Sequence, residues 1–276
     1  FSDNSGTVLA NPFTADSTGH WFAYADNGRF DVTMSGGGIP TPFTLGDLMP
    51  FDPAGLNLNG VFYIGNGSGL AGDIGAQFNA VYSACPSNGC EIDLLPNPAG
   101  CYADTTQMTA TVVGKYLLFR GLGAGKPEPS AGPCINFTPT TGITMMVLDY
   151  APANKALMVP AHGIRNITFM NNGCVTTGGC GSLAFGIQVG AVNQGIQGAT
   201  MDSVTIAGFA DGFVNTNFNS VDVTWLNPLF LANGEGYFDT NVNSQTVISG
   251  QFYANGIAVR AGAGVGGEFK FLGTNF

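Results

Sequence analysis

The sequence predicts an all-β fold organised as a parallel β-solenoid, and three observations support this prediction. A short apolar–polar–apolar pattern, typical of a half-buried strand, recurs in the second half of the chain. Its copies are Ile167-Thr168-Phe169, Val204-Thr205-Ile206, Val223-Thr224-Trp225, and the weaker Val247-Ile248-Ser249 and Phe269-Lys270-Phe271. Glycine-led strands follow several copies: Gly186-Ile187-Gln188-Val189, Gly212-Phe213-Val214, Gly236-Tyr237-Phe238 and Gly256-Ile257-Ala258-Val259. Most steps between copies span about 19 to 26 residues, a repeat length typical of solenoids.

Aligning the copies predicts how successive rungs stack. The first apolar residue of each copy would point inward, because a rung can bury its apolar side only against its neighbours. These inward residues are Ile167, Val204, Val223 and Val247. The alignment predicts one outward column of Thr168, Thr205 and Thr224, and a second column of Asn166, Ser203, Asp222 and Thr246. A slip of one residue would exchange the two faces.

The composition excludes some classes of partner. The chain has 276 residues with a net charge of −10 and only eight Lys plus Arg. We therefore expect no nucleic-acid binding, since no basic stripe exists to neutralise phosphates.

No apolar run is long enough for a membrane span, so we expect no membrane insertion, and no signal peptide is visible. Phe1 lies in a strand-like run and Phe276 inside a rung. We expect each end to be cut from a longer chain or completed by a neighbouring subunit.

Six cysteines, an even number, predict disulfides and hence an extracellular, oxidising location. They are Cys85, Cys90, Cys101, Cys134, Cys174 and Cys180. Short glycine-containing loops favour Cys85–Cys90 and Cys174–Cys180, which leaves Cys101–Cys134 to join neighbouring rungs. Fifteen pairings are possible, so other connectivities stay open. A metal site is the alternative, but there is no CxxC motif, and His20 and His162 lie far from the cysteines in sequence.

The sequence pattern of residues 1–48 predicts a small β module. His20–Tyr24 and Arg29–Met34 read as a hairpin around Asp26-Asn27-Gly28, and Ser35–Pro42 reads as a linker or wide turn. The stretch from Asn11-Pro12-Phe13 to Gly28-Arg29-Phe30-Asp31-Val32 resembles the carboxypeptidase-regulatory-like, or prealbumin-like, β-sandwich family. That family has further strands ahead of this stretch, so the resemblance implies an incomplete sandwich with an open edge. Residues 49–72 read as a linker or extended segment.

Residues 73–85 read as the chain's one convincing helix. Asp73 is a suitable N-cap, and an apolar stripe of Ile74, Phe78, Val81 and Tyr82 follows. The run from Gly72 through Cys90-Glu91-Ile92-Asp93-Leu94-Leu95-Pro96 to Cys101-Tyr102 resembles the opening of pectin-lyase-like proteins. This resemblance implies that residues 73–276 form a right-handed parallel β-helix whose N-terminal end is capped by the short helix. It bears on the fold much more than on an activity.

Enzymes of that family are lyases with Asp-held Ca2+ and an Arg or Lys base, or hydrolases with clustered aspartates. Arg165 is the best lyase-type candidate, since the alignment sets it beside Asp202; an ion pair between rungs is the simpler interpretation. His162-Gly163 matches the hydrolase His-Gly dipeptide but lacks an upstream aspartate cluster, and Asp222 is a further weak candidate. Asp211, Glu235 and Asp239 are candidate Ca2+ ligands, although they lack the fixed spacing of a calcium loop. We otherwise predict no cofactor.

Other residues could bind or carry sugars. Trp21, Tyr24 and Trp225 could stack on a saccharide, although such residues more often belong to a core. Sequons occur at Asn66, Asn136 and Asn166 and matter only if the source organism glycosylates.

Two functions are compatible with these patterns. The favoured one is an extracellular structural solenoid that self-associates head to tail into a fibre or filament, or acts as an adhesin. Strand complementation of the incomplete N-terminal module would join the subunits, with Phe1, Phe269, Phe271 and Phe276 at the joint. The alternative is a secreted polysaccharide lyase or glycoside hydrolase, for example of tail-spike type, or a non-catalytic glycan-binding protein. Catalysis is left open and is the less favoured interpretation.

Overall fold

The computed structural model describes residues 30–37, 39–48, 60–123, 133–139, 143–150, 162–172, 174, 183–191, 195–216, 222–240, 244–262 and 268–276. The chain divides into two compact units, Phe1–Asn59 and Gly60–Phe276. Each unit is considered by itself.

In the first unit, strands β1 (Phe30–Gly36) and β2 (Ile39–Leu48) form an antiparallel pair. Ser35–Pro42 therefore contains the hairpin turn and the strand residues beside it, so of the two predicted alternatives, a linker or a wide turn, the structure shows a turn. Gly36 and Gly37 have φ values of 80° and 55°, which allow the tight reversal. The predicted hairpin partner, His20–Tyr24, lies outside the described residues, so the resemblance to a β-sandwich stays a prediction.

The second unit contains one helix and twenty strands within its described residues. The strands before residue 150 are β3 (Val61–Ile64), β4 (Gly89–Leu94), β5 (Tyr102–Asp104), β6 (Met108–Ala110), β7 (Tyr116–Gly121), β8 (Cys134–Phe137) and β9 (Thr144–Leu148), with helix α1 (Ile74–Ala84) between β3 and β4. Those that follow are β10 (Gly163–Arg165), β11 (Thr168–Asn171), β12 (Phe185–Val189), β13 (Thr200–Asp202), β14 (Thr205–Ala207), β15 (Asp211–Asn215), β16 (Val223–Leu226), β17 (Leu229–Leu231), β18 (Glu235–Asp239), β19 (Gln245–Ile248), β20 (Gln251–Tyr253), β21 (Ile257–Ala261) and β22 (Phe269–Leu272).

These strands form three long parallel sheets. Sheet A has the order β3-β4-β7-β10-β13-β16-β19-β22, sheet B the order β5-β8-β11-β14-β17-β20, and sheet C the order β6-β9-β12-β15-β18-β21. From β4 onward, successive strands enter sheets A, B and C in turn. An all-β unit with this connectivity is consistent with a parallel β-solenoid of three strands per rung. Strand β3, in the segment predicted as linker, already belongs to sheet A.

Single residues with a positive φ angle, in the left-handed backbone conformation, turn the chain from sheet A to sheet B. Asn166, Ser203, Asn227 and Ser249 occupy this corner in successive rungs, with φ between 50° and 55°. Their backbone N–H groups donate to the next rung, for example Asn166 to Asp202 O and Ser203 to Leu226 O, both at 2.8 Å. The hydrogen-bond ladder therefore continues around the corner, which offsets the cost of positive φ in residues other than glycine.

The stacking register agrees with the sequence alignment in part. Thr168 pairs with Thr205, and Ile187, Phe213 and Tyr237 are in register in sheet C, as predicted. The third copy was misaligned, because Thr224 pairs with Thr200 in sheet A, whereas Thr205 pairs with Leu229. The period-two pattern recurs in two strands of one rung and does not show which sheet a strand joins.

The predicted polar columns align correctly only for their first two members, for the same reason. Thr168 and Thr205 are buried, and neither shares a column with Thr224. The second predicted column is also mixed, because Thr246 pairs with Thr224, whereas Asn166 and Ser203 occupy a corner. The fourth glycine-led strand is displaced by two residues, since Val259, and not Ile257, pairs with Tyr237. The four residues predicted to point inward are fully buried: Ile167, Val204, Val223 and Val247.

Helix α1 begins after the predicted N-cap. Asp73 Oδ1 accepts the N–H of Ala76 at 3.0 Å, and the helix ends at the C-cap Cys85. Its predicted stripe, Ile74, Phe78, Val81 and Tyr82, is buried, and the ring of Phe78 meets Phe119 edge to face at 5.2 Å. The helix thus covers the apolar interior beside β7. No helix among the described residues is long and apolar enough to cross a membrane.

Disulfides reinforce the start of the stack. Cys85–Cys90 joins the end of α1 to β4, and Cys101–Cys134 joins neighbouring rungs; both pairings are as predicted. Cys174 is also disulfide-bonded, whereas its predicted partner Cys180 lies outside the described residues. Two such bonds indicate an oxidising environment.

Candidate functional site

Five charged side chains on sheet A form what we call the charged row: Glu91, Asp93, Arg120, Arg165 and Asp202. Asp93 pairs in register with Arg120 of β7, Arg120 with Arg165 of β10, and Arg165 with Asp202 of β13. Side chains alternate along a strand, so Glu91, two residues before Asp93, lies on the same face. Tyr63 of β3 pairs with Asp93 and extends the row by one strand.

Arg120 holds the start of the charged row together. Its Nε and Nη2 donate to the two oxygens of Asp93 at 3.0 and 2.9 Å, and Nη2 also lies 2.7 Å from Glu91 Oε1. The Asp93 side chain is only 2% exposed, whereas that of Arg120 is 42% exposed. The two-pronged contact compensates the burial of the carboxylate and leaves part of the guanidinium open to solvent.

Arg165 is less completely paired. Although it is the register partner of Asp202, no ion pair links the two, and Asp202 Oδ1 instead accepts the hydroxyl of Ser203 at 2.9 Å. Arg165 Nε is buried and has no hydrogen-bond partner in the described part of the chain. Burial and the charge of Asp93 raise the pKa of Glu91, while Arg120 and Arg165 oppose that rise. The predicted ion pair between rungs is thus absent.

Two other candidates from the sequence lie away from the charged row. His162 is buried between the rings of Tyr116 and Tyr150, at 5.3 and 5.8 Å, and its Nε2 is 2.6 Å from Gln197 O. It is a core residue. Asp222 occupies a left-handed turn before β16, at the opposite end of that strand from Leu226, the register partner of Asp202.

The structure brings two of the three predicted Ca2+ ligands together. Asp211 and Glu235 pair in register in sheet C, and Arg260 contacts Glu235. Burial, and then the charge of Glu235, raise the pKa of Asp211 to about 6, against the effect of Arg260. Asp239 lies at the other end of β18, where its Oδ1 accepts Asn215 Nδ2 at 3.1 Å. Among the described residues, no three His, Cys, Asp or Glu converge as a metal site, and a Ca2+ site stays a prediction.

The sequon asparagines differ in their surroundings. Asn66 is exposed in the loop before α1, and Asn136 is half-buried in β8. Asn166 turns the corner between sheets A and B, and its Nδ2 donates to Gly121 O at 3.1 Å. A glycan on Asn166 would disturb that corner.

Two of the four predicted assembly residues, Phe269 and Phe271, lie on β22, and Phe276 follows that strand. Phe269 and Phe271 stack at 4.6 Å, and Phe276 stacks on Phe252 at 5.3 Å while remaining 69% exposed. Phe1 lies outside the described residues, as do Trp21 and Tyr24. Trp225 is fully buried, so it belongs to the core and cannot stack on a sugar.

An open cavity of about 410 Å³ lies beside the glycine-rich loop that precedes α1. Its polar walls are already occupied: Gln77 Oε1 accepts Gly65 N at 2.8 Å, and Tyr102 Oη accepts Asn66 N at 2.8 Å and donates to Leu95 O at 2.9 Å. These contacts fix the loop against the helix and the first rung. They leave few groups for a ligand.

Sequence reasoning missed most of the charged row and a ladder of asparagines. Glu91-Ile92-Asp93 is a charged–apolar–charged strand pattern that could have indicated the charged row. The repeated Ala-Asn-Gly at 232–234 and 254–256 could have indicated the asparagine ladder, since Asn233 Nδ2 donates to Asn255 Oδ1 at 3.0 Å.

Comparisons with models of protein families, with curated proteins and with solved structures found no match.

Proposed function

We propose that this chain is an extracellular right-handed parallel β-helix of the pectin-lyase-like type, which acts as a structural adhesin by binding a neutral polysaccharide. The ligand would lie on sheet A, across Tyr63 and the charged row. No catalytic step is assigned to this surface. The N-terminal unit is proposed to be the prealbumin-like module.

The observation that carries the proposal is the exposed ring of Tyr63 beside charged side chains fixed by sheet register. The ring is 52% exposed and pairs in register with Asp93, the carboxylate held by Arg120. An aromatic face offers apolar contact to a sugar ring, and fixed polar groups beside it supply directional hydrogen bonds to hydroxyls. Arg165, in register between Arg120 and Asp202, adds a second guanidinium group to the row.

Charge favours a neutral ligand over an acidic one. The charged row holds three carboxylates and two guanidinium groups, and the whole chain carries a net charge of −10. A polyanion would therefore meet more negative than positive groups on approach. Sugar hydroxyls can both donate to carboxylates and accept from arginines.

Affinity electrophoresis in gels containing neutral or hexuronate polymers tests this proposal. We expect retardation by a neutral polymer, and a five- to tenfold weaker interaction in Tyr63→Ala, which corresponds to roughly 1–1.4 kcal/mol. Arg165→Gln should weaken binding similarly. Tyr253→Ala and Lys270→Gln are matched controls, because they remove an exposed tyrosine and a cation elsewhere on the same unit.

Equal losses in the test and control variants would contradict binding at the charged row. Depolymerisation of the polymer by the wild-type chain, abolished in Arg165→Gln, would instead favour the enzymatic alternative. Either result is distinguishable from misfolding by circular dichroism of the purified variants.

Self-association is a second candidate function, favoured by exposed apolar side chains at one edge of the three sheets. On the last described strand of each sheet or just beyond it lie Tyr253, Ile257, Leu272 and Phe276, all at least 40% exposed. Strand edges of this kind can pair with another chain, and a head-to-tail contact propagates into a filament.

Sedimentation velocity over a range of concentrations tests self-association. We expect larger species at high concentration, and their loss in Leu272→Lys but not in the control Leu183→Lys, whose side chain is also exposed but lies before β12. A single monomeric species at every concentration would exclude this function for the chain.

A further inference from the structure

Two carboxylates meet at the first turn of α1, and their surroundings differ. Asp73 is fully provided with donors: Oδ1 accepts Ala76 N at 3.0 Å, and Oδ2 accepts Thr105 N, Thr105 Oγ1 and Thr106 Oγ1 at 3.0, 2.8 and 3.0 Å. Burial alone would raise the pKa of Asp73, but these hydrogen bonds outweigh it and hold the pKa below its ordinary value. Asp73 is therefore the ionised member of the pair.

Asp104, at the end of β5, is fully buried, and only one of its two carboxyl oxygens has hydrogen-bond partners. Its Oδ1 accepts Gly75 N at 2.9 Å and Thr106 N at 3.3 Å. Its Oδ2 is buried with no hydrogen-bond partner. A buried charged oxygen without a donor is costly, whereas a protonated oxygen could itself donate.

Among the described residues, no cationic group acts on Asp104. It faces Asp73, the N-cap of α1; the β5–β6 turn contributes Thr106, and β8 contributes its register partner Phe137. Burial raises the pKa of Asp104 to about 6; the Gly75 N–H opposes this rise, and the charge of Asp73 adds to it. Lys115 lies at the other end of the helix, where its Nζ donates to Ser83 O at 3.1 Å.

We propose that Asp104 retains a proton that it shares with Asp73, and that this carboxyl–carboxylate pair is a pH-sensitive latch for the start of α1. In acid, one shared proton holds the first turn of the helix against the β5–β6 turn. When that proton leaves, two negative charges face each other in a buried space and repel. The fit is tight: a Cβ on Gly75 would overlap the carbonyl oxygen of Thr106.

The latch acts on one end of the helix only. The C-terminal end stays attached through the Cys85–Cys90 disulfide, the Lys115–Ser83 hydrogen bond, and Tyr82 Oη, which donates to Lys115 O at 2.7 Å. Deprotonation therefore loosens the first turns, including Ile74 and Phe78, while the last turn stays fixed. The helix is a cap over the interior beside Phe119, so its opening would uncover apolar surface at this end of the sheets.

Carboxyl-carbon NMR of the full chain tests the shared proton directly. We expect the Asp104 carboxyl to titrate above about pH 5, against an ordinary value of about 3.9, with a coupled response at Asp73 and at the amides of Gly75 and Ala76. Hydrogen-exchange protection of the first-turn amides should fall at least about tenfold across the same transition, after correction for intrinsic exchange.

The matched variants are Asp104→Asn and Asp222→Asn. Asparagine at 104 retains an acceptor for Gly75 and replaces the shared proton by an N–H donor, so the first-turn amides should become insensitive to pH between about 4 and 7.5. Asp222→Asn, in an exposed left-handed turn, should leave their response unchanged. A carboxyl of Asp104 that titrates near its ordinary value in the wild-type chain would overturn the proposal, whatever the variants do.

Discussion

At the scale of residues, Asn233 shows how one side chain supports a corner of the stack. Its Oδ1 accepts Phe209 N, and its Nδ2 donates to Ile206 O and to Asn255 Oδ1, each at 3.0 Å. Asn255 repeats the arrangement in the next rung, where its Nδ2 donates to Phe230 O at 2.8 Å. The backbone groups at the corner between sheets B and C thus find partners that no strand provides.

Replacement of Asn233 by alanine should be strongly destabilising. It leaves the N–H of Phe209 and the carbonyl of Ile206 buried without these partners, at about 1–3 kcal/mol each, so we expect a loss of roughly 3 kcal/mol or more in the free energy of unfolding. Urea denaturation measures this loss. The control Asn66→Ala removes an exposed asparagine and should change stability by less than about 0.5 kcal/mol. Similar unfolding midpoints for both variants would show that the ladder contributes little.

At the scale of elements, α1 is matched to its charged surroundings at both ends. The carboxylates of Asp73 and Asp104 face its N-terminal N–H groups, and the Lys115 ammonium binds the carbonyl of Ser83 near its C-terminus. Both arrangements complement the helix dipole. The C-terminal end is fixed by the Lys115 ammonium and the Cys85–Cys90 disulfide, whereas the N-terminal end depends on the proposed proton of Asp104.

Stability should accordingly depend on pH through Asp104. Its pKa is raised in the folded chain, so its contribution is fully present below about pH 4 and is lost as pH rises to about 6. A difference of two pKa units corresponds to roughly 3 kcal/mol. Between about pH 3 and about pH 7, the free energy of unfolding should therefore fall by roughly 3 kcal/mol more in the wild-type chain than in Asp104→Asn. An equal pH dependence in the two proteins would assign the effect to other groups.

The elements themselves were largely predictable from the sequence, whereas their stacking was not. Asp73 and the apolar stripe from Ile74 to Tyr82 predict α1, and period-two runs predict most strands. Val223-Thr224-Trp225 was assigned to the wrong column because a strand pattern carries no label for its sheet. Of the charged row, Arg165 and Asp202 lie within aligned copies and were found. Glu91, Asp93 and Arg120 precede the recognisable repeats and were missed.

At the scale of the whole second unit, the proposed binding surface exists only because strands far apart in sequence stack in parallel. Tyr63 and Asp202 lie on strands β3 and β13, with three further strands of sheet A between them. Tyr63 and Arg165 come from different rungs, on β3 and β10. The surface is therefore a property of the stack, and any variant that shifts the register should abolish it together with the fold.

Titration calorimetry of the wild-type chain measures whether this surface binds neutral saccharides. The titrants are neutral oligosaccharides of glucose, mannose, galactose and xylose, and a hexuronate oligomer of equal length. We predict saturable binding of at least one neutral oligosaccharide and weaker binding, or none, of the hexuronate. Preferential binding of the hexuronate, or no binding of any neutral oligosaccharide, would show that sheet A is not a binding surface for neutral saccharides.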